Sequence, residues 1–188
     1  MQELIRCAWA TSTPDYVAYH DEEWGTPLHG DDALFERLCL EAFQSGLSWI
    51  TILRKRPAFR AAFAGFSIAA VAAFSEADAT RLMADPGIVR NRMKVDAALH
   101  NAKVAADLPD GLAALLWSYA PGPRARPASF AEVPAITPES TRLAKDLKKR
   151  GFKFVGPTTA YALMQATGMV DDHLAGCHVA DGGGREPA

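Results

Sequence analysis

The sequence has few cysteines and no long apolar run, and each shortage excludes a class of protein. It contains 3 Cys in 188 residues, too few for a small secreted scaffold held by disulfides. No apolar stretch approaches the roughly 20 residues that cross a bilayer, so no membrane partner is expected. The first residues lack the basic segment and apolar core of a secretory signal. A reducing, cytoplasmic location is therefore the expectation.

Strand patterns are also missing. Alternation of apolar and polar residues is absent over any useful length, and no internal repeat is present. Apolar residues recur at helical spacing instead, as in Leu34, Phe35 and Leu38 behind the capping candidates Asp31 and Asp32. We therefore expect an all-α fold, with residues 1–178 forming one globular domain and residues 179–188 a disordered tail. Helices are predicted over 31–46, 48–53, 57–63, 75–84, 88–106, 109–119, 137–150 and 157–168, with a proline-rich loop over 121–127.

The charge is close to balanced, with a formal net value of −2. That value alone argues mildly against nucleic acid as a partner. The distribution of charge along the sequence, however, favours a nucleic-acid partner. One basic cluster comprises Arg54, Lys55, Arg56 and Arg60. A second basic cluster lies near residue 150, and two separate cationic clusters are more than an acidic composition requires.

The second cluster surrounds a pattern typical of a helix-hairpin-helix. One predicted helix ends at Gly151, a short turn containing Lys153 reaches Gly156, and Pro157 begins the next helix. Glycines allow close approach of the backbone, and the start of a helix presents unpaired N–H groups to an anion such as a DNA phosphate. Such a hairpin holds DNA without reading its sequence. The alternative is a solvated basic helix end, which the helix dipole favours by itself.

Two His and two Cys at opposite ends of the chain are candidate metal ligands. Cys7 and His20 are separated by twelve residues, and His173 and Cys177 by three. Together they match the ligands of a closed structural zinc site, which would join the two ends and leave no position open for substrate. Chance scatter is the alternative, and His178 is a possible substitute ligand. The remaining cysteine, Cys39, lies in an apolar helical pattern and is expected to be buried.

Large aromatic residues are concentrated in the first fifty positions. They are Trp9, Tyr16, Tyr19, Trp24 and Trp49. Most buried aromatic residues belong to a core. Trp9, Tyr19 and Trp24, however, lie beside the candidate ligands in a region without a periodic apolar face. Aromatic planes in such a place can hold a nucleobase that has been turned out of a duplex.

Glu41 is the candidate polar group for this base pocket. It lies near the end of the predicted helix over residues 31–46, where the helix dipole disfavours a carboxylate unless water solvates it. As an anion, Glu41 would accept hydrogen bonds from the exocyclic amine of a purine.

Several blocks of the sequence together resemble the 3-methyladenine DNA glycosylase I family. They are Cys7-Ala-Trp, Tyr19-His-Asp-Glu-Glu-Trp-Gly, Leu40-Glu-Ala-Phe-Gln-Ser-Gly-Leu-Ser-Trp-Ile, Gly87-Ile-Val-Arg-Asn-Arg-Met-Lys, Leu147-Lys-Lys-Arg-Gly-Phe-Lys-Phe-Val-Gly and Asp172-His-Leu-Ala-Gly-Cys. The resemblance runs from about Cys7 to Cys177. Two departures are Ser45, where the family has a smaller residue, and the tail beyond Cys177, which diverges.

The resemblance implies a helix-hairpin-helix glycosylase fold in which one zinc ion joins segments 1–30 and 165–178. It implies removal of N3-methyladenine from alkylation-damaged double-stranded DNA by a monomer, without strand cleavage because no lysine nucleophile is indicated. The implied base pocket comprises Trp9, Tyr19, Trp24, Glu41 and Trp49, with Glu41 selecting the base and favouring its departure. The implied DNA contacts are Gly46 and Leu47 against the gap in the duplex, with Gly151, Lys153 and Gly156 in the hairpin. Asp171 and Asp172 are interpreted as orienting a ligand or capping a turn.

Two other classes remain open at this point. A zinc-dependent deaminase would use the His-x-Glu pattern of His20 and Glu22, but its Pro-Cys-x-x-Cys partner is absent from the sequence. A zinc-containing, non-enzymatic DNA-binding module would use the hairpin alone. The aromatic cluster and Glu41 argue against that alternative.

Overall fold

The computed structural model describes residues 4–179, and within that range the protein is helical and contains no strand. The all-α prediction is therefore confirmed. The α-helices are α1 Pro14–Glu22, α2 Asp31–Gln44, α3 Trp49–Ala62, α4 Ile68–Ala72, α5 Glu76–Ala84, α6 Arg92–Ala106, α7 Gly111–Trp117, α8 Pro138–Lys149 and α9 Pro157–Ala166. Short 3-10 helices cover Ala8–Thr11, Ala64–Phe66 and Phe130–Glu132. The predicted tail falls mainly on residues 180–188, which lie outside the described residues.

Local capping signals account for several helix starts. Ser75 and Asp78 form a capping box at the start of α5, and Thr137 and Ser140 form another at α8. Thr13 caps α1, a helix that we did not predict, because its side chain accepts a hydrogen bond from the Tyr16 amide. Side-chain oxygens of this kind satisfy N–H groups that the first helical turn leaves unpaired.

Two predicted boundaries were wrong. We expected a break before Pro57, but α3 is continuous through it. An interior proline removes a backbone hydrogen bond, and burial of Leu53 before it and Phe59 after it offsets that cost. Helix α6 begins at Arg92 rather than Ile88, because the Asn91 side chain accepts from the Lys94 amide and fixes the first turn there.

Helix α2 is the centre of the fold. Every residue from Leu34 to Phe43 is buried, since α3, α4, α6, α7 and α9 surround it. The prediction that Cys39 is buried is confirmed, and Cys39 belongs to the apolar core. Near its end, this central helix carries Glu41 towards the terminal segments. None of the helices within residues 4–179 has the length and apolarity needed to span a membrane.

Candidate functional site: four candidate metal ligands beside an aromatic cavity

The four candidate ligands from the chain ends converge on one point. The ligand atoms of Cys7, His20, His173 and Cys177 lie within 4.8 Å of one another. His173 Nδ1 is 3.2 Å from His20 Nε2 and 3.6 Å from Cys177 Sγ, and Cys177 Sγ is 3.5 Å from His20 Nε2. Ordinary zinc bond lengths in a tetrahedron require N–N and N–S separations of about 3.4 and 3.6 Å. The observed separations therefore fit a zinc ion.

In each of the two histidines, the ring nitrogen that faces away from the other candidate ligands (the outer nitrogen) has a hydrogen-bond acceptor, and this acceptor determines the tautomer. His20 Nδ1 is 2.8 Å from an Asp21 carboxylate oxygen, and His173 Nε2 is 3.0 Å from the carbonyl oxygen of Trp24. Each outer nitrogen must donate to its acceptor, so each inner nitrogen carries a lone pair directed at the other. Burial lowers the pKa of His20, which keeps its imidazole neutral. Two facing lone pairs beside two sulfurs are the donor set that a metal ion satisfies.

The carboxylate that orients a ligand is Asp21. It accepts from His20 and forms a bidentate ion pair with Arg6. Asp171 accepts from the His173 amide and so caps a turn, as one of our two alternatives stated. Asp172 instead accepts from the Tyr161 hydroxyl at 2.6 Å and the Gln165 amide at 2.8 Å. It lines a cavity, a position that the sequence interpretation did not assign to it.

The cavity adjoins the four candidate ligands, since Cys7 lines it, and has a volume of about 710 Å³. Its aromatic wall contains Trp9, Tyr16, Tyr19, Trp24 and Trp49. The structure therefore brings together all the aromatic residues assigned to the base pocket and adds Tyr16, whose hydroxyl accepts from the Ile50 amide at 3.0 Å. Rings of Trp9 and Trp24 meet edge to face with centroids 5.0 Å apart. An apolar cavity of this size accommodates a small planar ligand.

Glu41 also lines the cavity, and it is 6 % exposed. No hydrogen bond to its carboxyl group is found within residues 4–179. Burial raises the pKa of Glu41 to about 8, and the nearby Arg37 only partly opposes this rise. Burial therefore favours the protonated form of this group near pH 7. The sequence interpretation treats Glu41 as an anion, whereas its burial in the protein favours the protonated form.

The first basic cluster is neutralised within the protein. Arg56 forms two hydrogen bonds of 2.6 Å with Glu23, Arg60 pairs with Glu36, and Arg54 pairs with Asp15. Lys55 donates to the carbonyl oxygens of Pro86 and Gly87. Acidic residues distant in sequence therefore pair with the three arginines of this cluster.

The lysines at the turn between α8 and α9, unlike the arginines of the first cluster, are not paired with acidic residues of the described range. Gly151 ends α8 with a positive φ of 101°, and Gly156 caps α9. The side chains of Lys148, Lys149 and Lys153 are exposed and form no ion pair within residues 4–179. Backbone N–H groups without an acceptor in the described chain belong to Phe154, Val155, Gly156, Thr158 and Thr159. This turn therefore presents unpaired amides and positive charge on one surface.

A further wall of the cavity was not predicted. It comprises Phe130, Val133, Pro134, Ala135, Ala162, Gln165 and Leu174. Most of these residues lie in the irregular segment before α8, which has no periodic pattern that a sequence reading could use. Leu174, by contrast, lies between the predicted ligands His173 and Cys177, and Gln165 lies on α9, the helix before them.

These features define a class of protein. An all-helical body carries a metal-ligand group, an aromatic cavity with one buried carboxyl group, and a surface turn of unpaired amides. The cavity has the size and lining for a planar ring, and the turn has the amides and charge that suit an anion.

Comparison with known proteins identifies the family. Residues 9–180 match the family model described as methyladenine glycosylase, and the chain belongs to that family. It is 45% identical over 179 residues to DNA-3-methyladenine glycosylase 1 of Escherichia coli strain K12, covering 93% of this chain and 96% of the relative.

Solved structures agree. A crystal structure of 3-methyladenine DNA glycosylase I has a TM-score of 0.88 with 45% identity, covering 93% of this chain and 98% of the other. The Staphylococcus aureus enzyme, solved to show the basis of 3-methyladenine recognition, also has a TM-score of 0.88, with 37% identity, and covers 93% of this chain and 95% of that one.

Proposed function

We propose that this protein is a DNA repair glycosylase that turns N3-methyladenine out of alkylated duplex DNA and hydrolyses its N-glycosidic bond. The product is an abasic site in an uncut strand. The observation that carries the proposal is the cavity in which Trp9, Tyr19, Trp24 and Trp49 surround the unpaired carboxyl group of Glu41. The relatives named above are 3-methyladenine glycosylases, which supports the same activity.

The cavity supports selection by shape and stacking. Aromatic side chains contribute about 1–3 kcal/mol for each stacked base. Tyr19 and Trp49 face the cavity with ring centroids 5.5 Å apart, and Trp9 and Trp24 continue the wall. Stacking alone tolerates any base, so the polar group in this wall must supply the preference for an alkylated purine.

Glu41 supplies that preference through its ionisation. A base methylated at N3 is cationic while it is attached to the sugar, and a cation beside Glu41 favours the carboxylate over the acid. Neutral adenine gives no such compensation for burying the anion. The charged lesion is therefore held more strongly than normal adenine. Because the methylated base leaves as a neutral molecule, the reaction needs no strong acid on the protein.

We infer that the amide-rich turn between α8 and α9 anchors the DNA backbone, in the manner of a helix-hairpin-helix. Unpaired amides and the positive end of α9 favour a phosphate, and the exposed Lys153 adds charge. The turn of Gly46 and Leu47 lies at the end of α2, and Leu47 is 42% exposed. We assign these two residues to the gap that the everted base leaves. The proposed partner is damaged double-stranded DNA, bound by a monomer.

Cys7, His20, His173 and Cys177 would hold one structural zinc ion. By binding ligands from both ends of the chain, the ion would hold these ends together. It would have no part in the chemical step. The link also affects the cavity, since Cys7 and Leu174 line it and Trp24 contacts His173 through its carbonyl group.

A base-release experiment tests the proposed function. Duplex DNA treated with a methylating agent is incubated with the purified protein, and released bases are separated by chromatography. We expect 3-methyladenine in solution and abasic sites that break only after alkali or heat. Binding of the duplex without base release would favour a non-enzymatic DNA-binding module. Direct strand breaks would contradict the assignment of a simple hydrolase.

Gly156→Asp is expected to weaken duplex binding by about tenfold or more, because a carboxylate would meet a DNA phosphate and compete for the same amides. The variant should fold well. Gly156 has no atom within 4 Å of the added Cβ, its φ is negative, and Asp is a favourable cap for α9. Binding is measured by fluorescence anisotropy at several salt concentrations.

The matched control for this change is Gly156→Asn, which caps the same amides without a charge. It should lose less affinity than Gly156→Asp, and the difference should shrink at high salt because charge repulsion is screened. Affinity for free 3-methyladenine should be unaffected in both variants. If Gly156→Asp binds duplex as well as the parent does, the turn is not the anchor.

A further inference from the structure

Lys94 is a buried cation with no assigned role in the proposed chemistry. It lies in the first turn of α6 and is 8% exposed. Its ammonium group donates to the carbonyl oxygen of Phe43 at 2.9 Å and to that of Ser45 at 2.6 Å. No ion pair involving Lys94 is found within residues 4–179. Burying an ammonium group is costly, and here two backbone carbonyl groups are the hydrogen-bond partners that offset part of this cost.

The carbonyl groups that Lys94 binds belong to the end of α2 and the turn that follows. The last carbonyls of a helix have no partner within it, and a cation there interacts well with the helix dipole. The turn, residues 45–48, contains Gly46 with a φ of 81° and the exposed Leu47. We call it the Leu47 turn. Lys94 fixes this turn to α6 by binding the carbonyl immediately before Gly46.

Helix α6 holds the second DNA-contacting turn in the same way. Asn101 is 2% exposed, and its amide group donates to the Lys153 carbonyl and accepts from the Lys153 N–H. His100 Nε2 lies 2.9 Å from the Gly151 carbonyl oxygen and donates to it. Phe154, the next residue of the turn, has a φ of 57°. A non-glycine residue holds that conformation only where its surroundings impose it.

Lys94 and Asn101 are seven residues apart on α6. Seven residues are almost two helical turns, so both side chains lie on the same face, about 10 Å apart along the axis. A helix is a stiff spacer over that distance. The same element therefore determines where the Leu47 turn and the amide-rich turn stand relative to each other.

We propose that Lys94 and Asn101 are positioning residues, and that through them α6 sets the spacing between the turn that fills the gap in the duplex and the turn that binds the phosphate. The proposal rests on the DNA-binding roles given above. It also assigns the two residues different roles. Lys94 serves recognition of the damaged position, and Asn101 serves general affinity for duplex.

The test compares two duplexes of the same sequence, one undamaged and one with a stable abasic-site analogue. Lys94→Met should lower the preference for the abasic duplex by about tenfold, corresponding to about 1.4 kcal/mol, and leave affinity for the undamaged duplex unchanged. Asn101→Leu should weaken both duplexes to the same extent. Binding of free 3-methyladenine, followed by tryptophan fluorescence, should stay within about twofold in both variants, as expected for a cavity that is intact.

Two controls separate position from charge. Lys103→Met removes an exposed cation from the same helix and should change neither the preference nor free-base binding. Lys94→Arg, which can still donate to carbonyl groups, should retain most of the preference. Loss of the preference in Lys103→Met would mean that net charge explains the effect and would overturn the proposal.

A double-mutant cycle gives the decisive measurement. If Lys94 acts through the Leu47 turn, Lys94→Met and Leu47→Ala should be strongly non-additive in their effects on the abasic preference. Additive effects would overturn the proposal. So would a Lys94→Met variant that keeps the preference for the abasic duplex or loses affinity equally for both duplexes. Unchanged duplex affinity in Asn101→Leu would overturn it as well. Failure of the proposed function is a separate result, since the parent protein would then release no base and show no preference for the abasic duplex.

Discussion

Replacing Glu41 by Gln is expected to slow release of 3-methyladenine from alkylated DNA by about ten- to a hundredfold, the range for losing a charged hydrogen bond in a buried site. Glutamine keeps the shape of the side chain but cannot become an anion beside the cationic base. Its amide group can also present a donor to the exocyclic amine. Binding of free 3-methyladenine should weaken as well. Single-turnover base release and equilibrium binding measure the two effects.

The stability of this variant provides the control against a folding defect. Burial raises the pKa of Glu41 to about 8, above its value in the unfolded chain. Between those two values the native state binds more protons than the unfolded state, so Glu41 reduces stability progressively as pH rises through that window. Glu41→Gln should therefore unfold at the same or a higher temperature than the parent at pH 8. The difference should shrink below pH 4.5, the ordinary pKa of a glutamate side chain, because the unfolded state then also binds the proton.

Other comparisons delimit the role of Glu41. Glu22→Gln, an exposed change at the end of α1, should keep the base-release rate within about twofold because surface substitutions have small effects. Affinity of Glu41→Gln for undamaged duplex should match that of the parent. Full activity of Glu41→Gln would show that Glu41 is a bystander. Equal losses on damaged and undamaged DNA would indicate a structural defect instead.

Replacing Cys177 by Ser should remove bound zinc and lower the melting temperature by about 10 °C or more, since about 1 kcal/mol shifts it by roughly 2–4 °C in a chain of this size. A hydroxyl group is a poor substitute for a thiolate ligand, and binding energy available only to the closed site contributes to folding. Zinc content by atomic spectroscopy and melting by calorimetry should fall together. Affinity for free 3-methyladenine should also fall, because the ligands adjoin the cavity wall.

Cys39→Ala is the matched control for the zinc experiment. Cys39 is buried in the core on α2, so this change should destabilise the protein while leaving the zinc content unaltered. His178→Ala tests the substitute ligand that the sequence left open. His178 Nε2 contacts Asp21 at 3.1 Å and is not part of the four-ligand group, so zinc should be retained. An unchanged zinc content in Cys177→Ser would remove Cys177 from the site.

The sequence predicted the elements well where local chemistry decides them. The capping box of Ser75 and Asp78 and the Thr137-Pro138 start of α8 were both found, because a cap and the helix it begins are within a few residues. The candidate metal ligands and the aromatic residues of the cavity could also be predicted, because the ability to bind a metal or stack on a base is a property of the side chain itself. The stop expected at Pro57 failed, because burial on both sides of it acts through contacts distant in sequence.

By itself, the sequence determined the helical class, the candidate ligands at the two ends and the aromatic residues of the cavity. Only the tertiary structure decided which groups are charged and which are free. Glu41 is buried, which raises its pKa, Arg56 pairs with Glu23, and Lys94 is buried against two carbonyl groups. These outcomes depend on desolvation and on partners up to 51 residues away. The free energy of a charge is set by its three-dimensional surroundings, which a linear pattern does not contain.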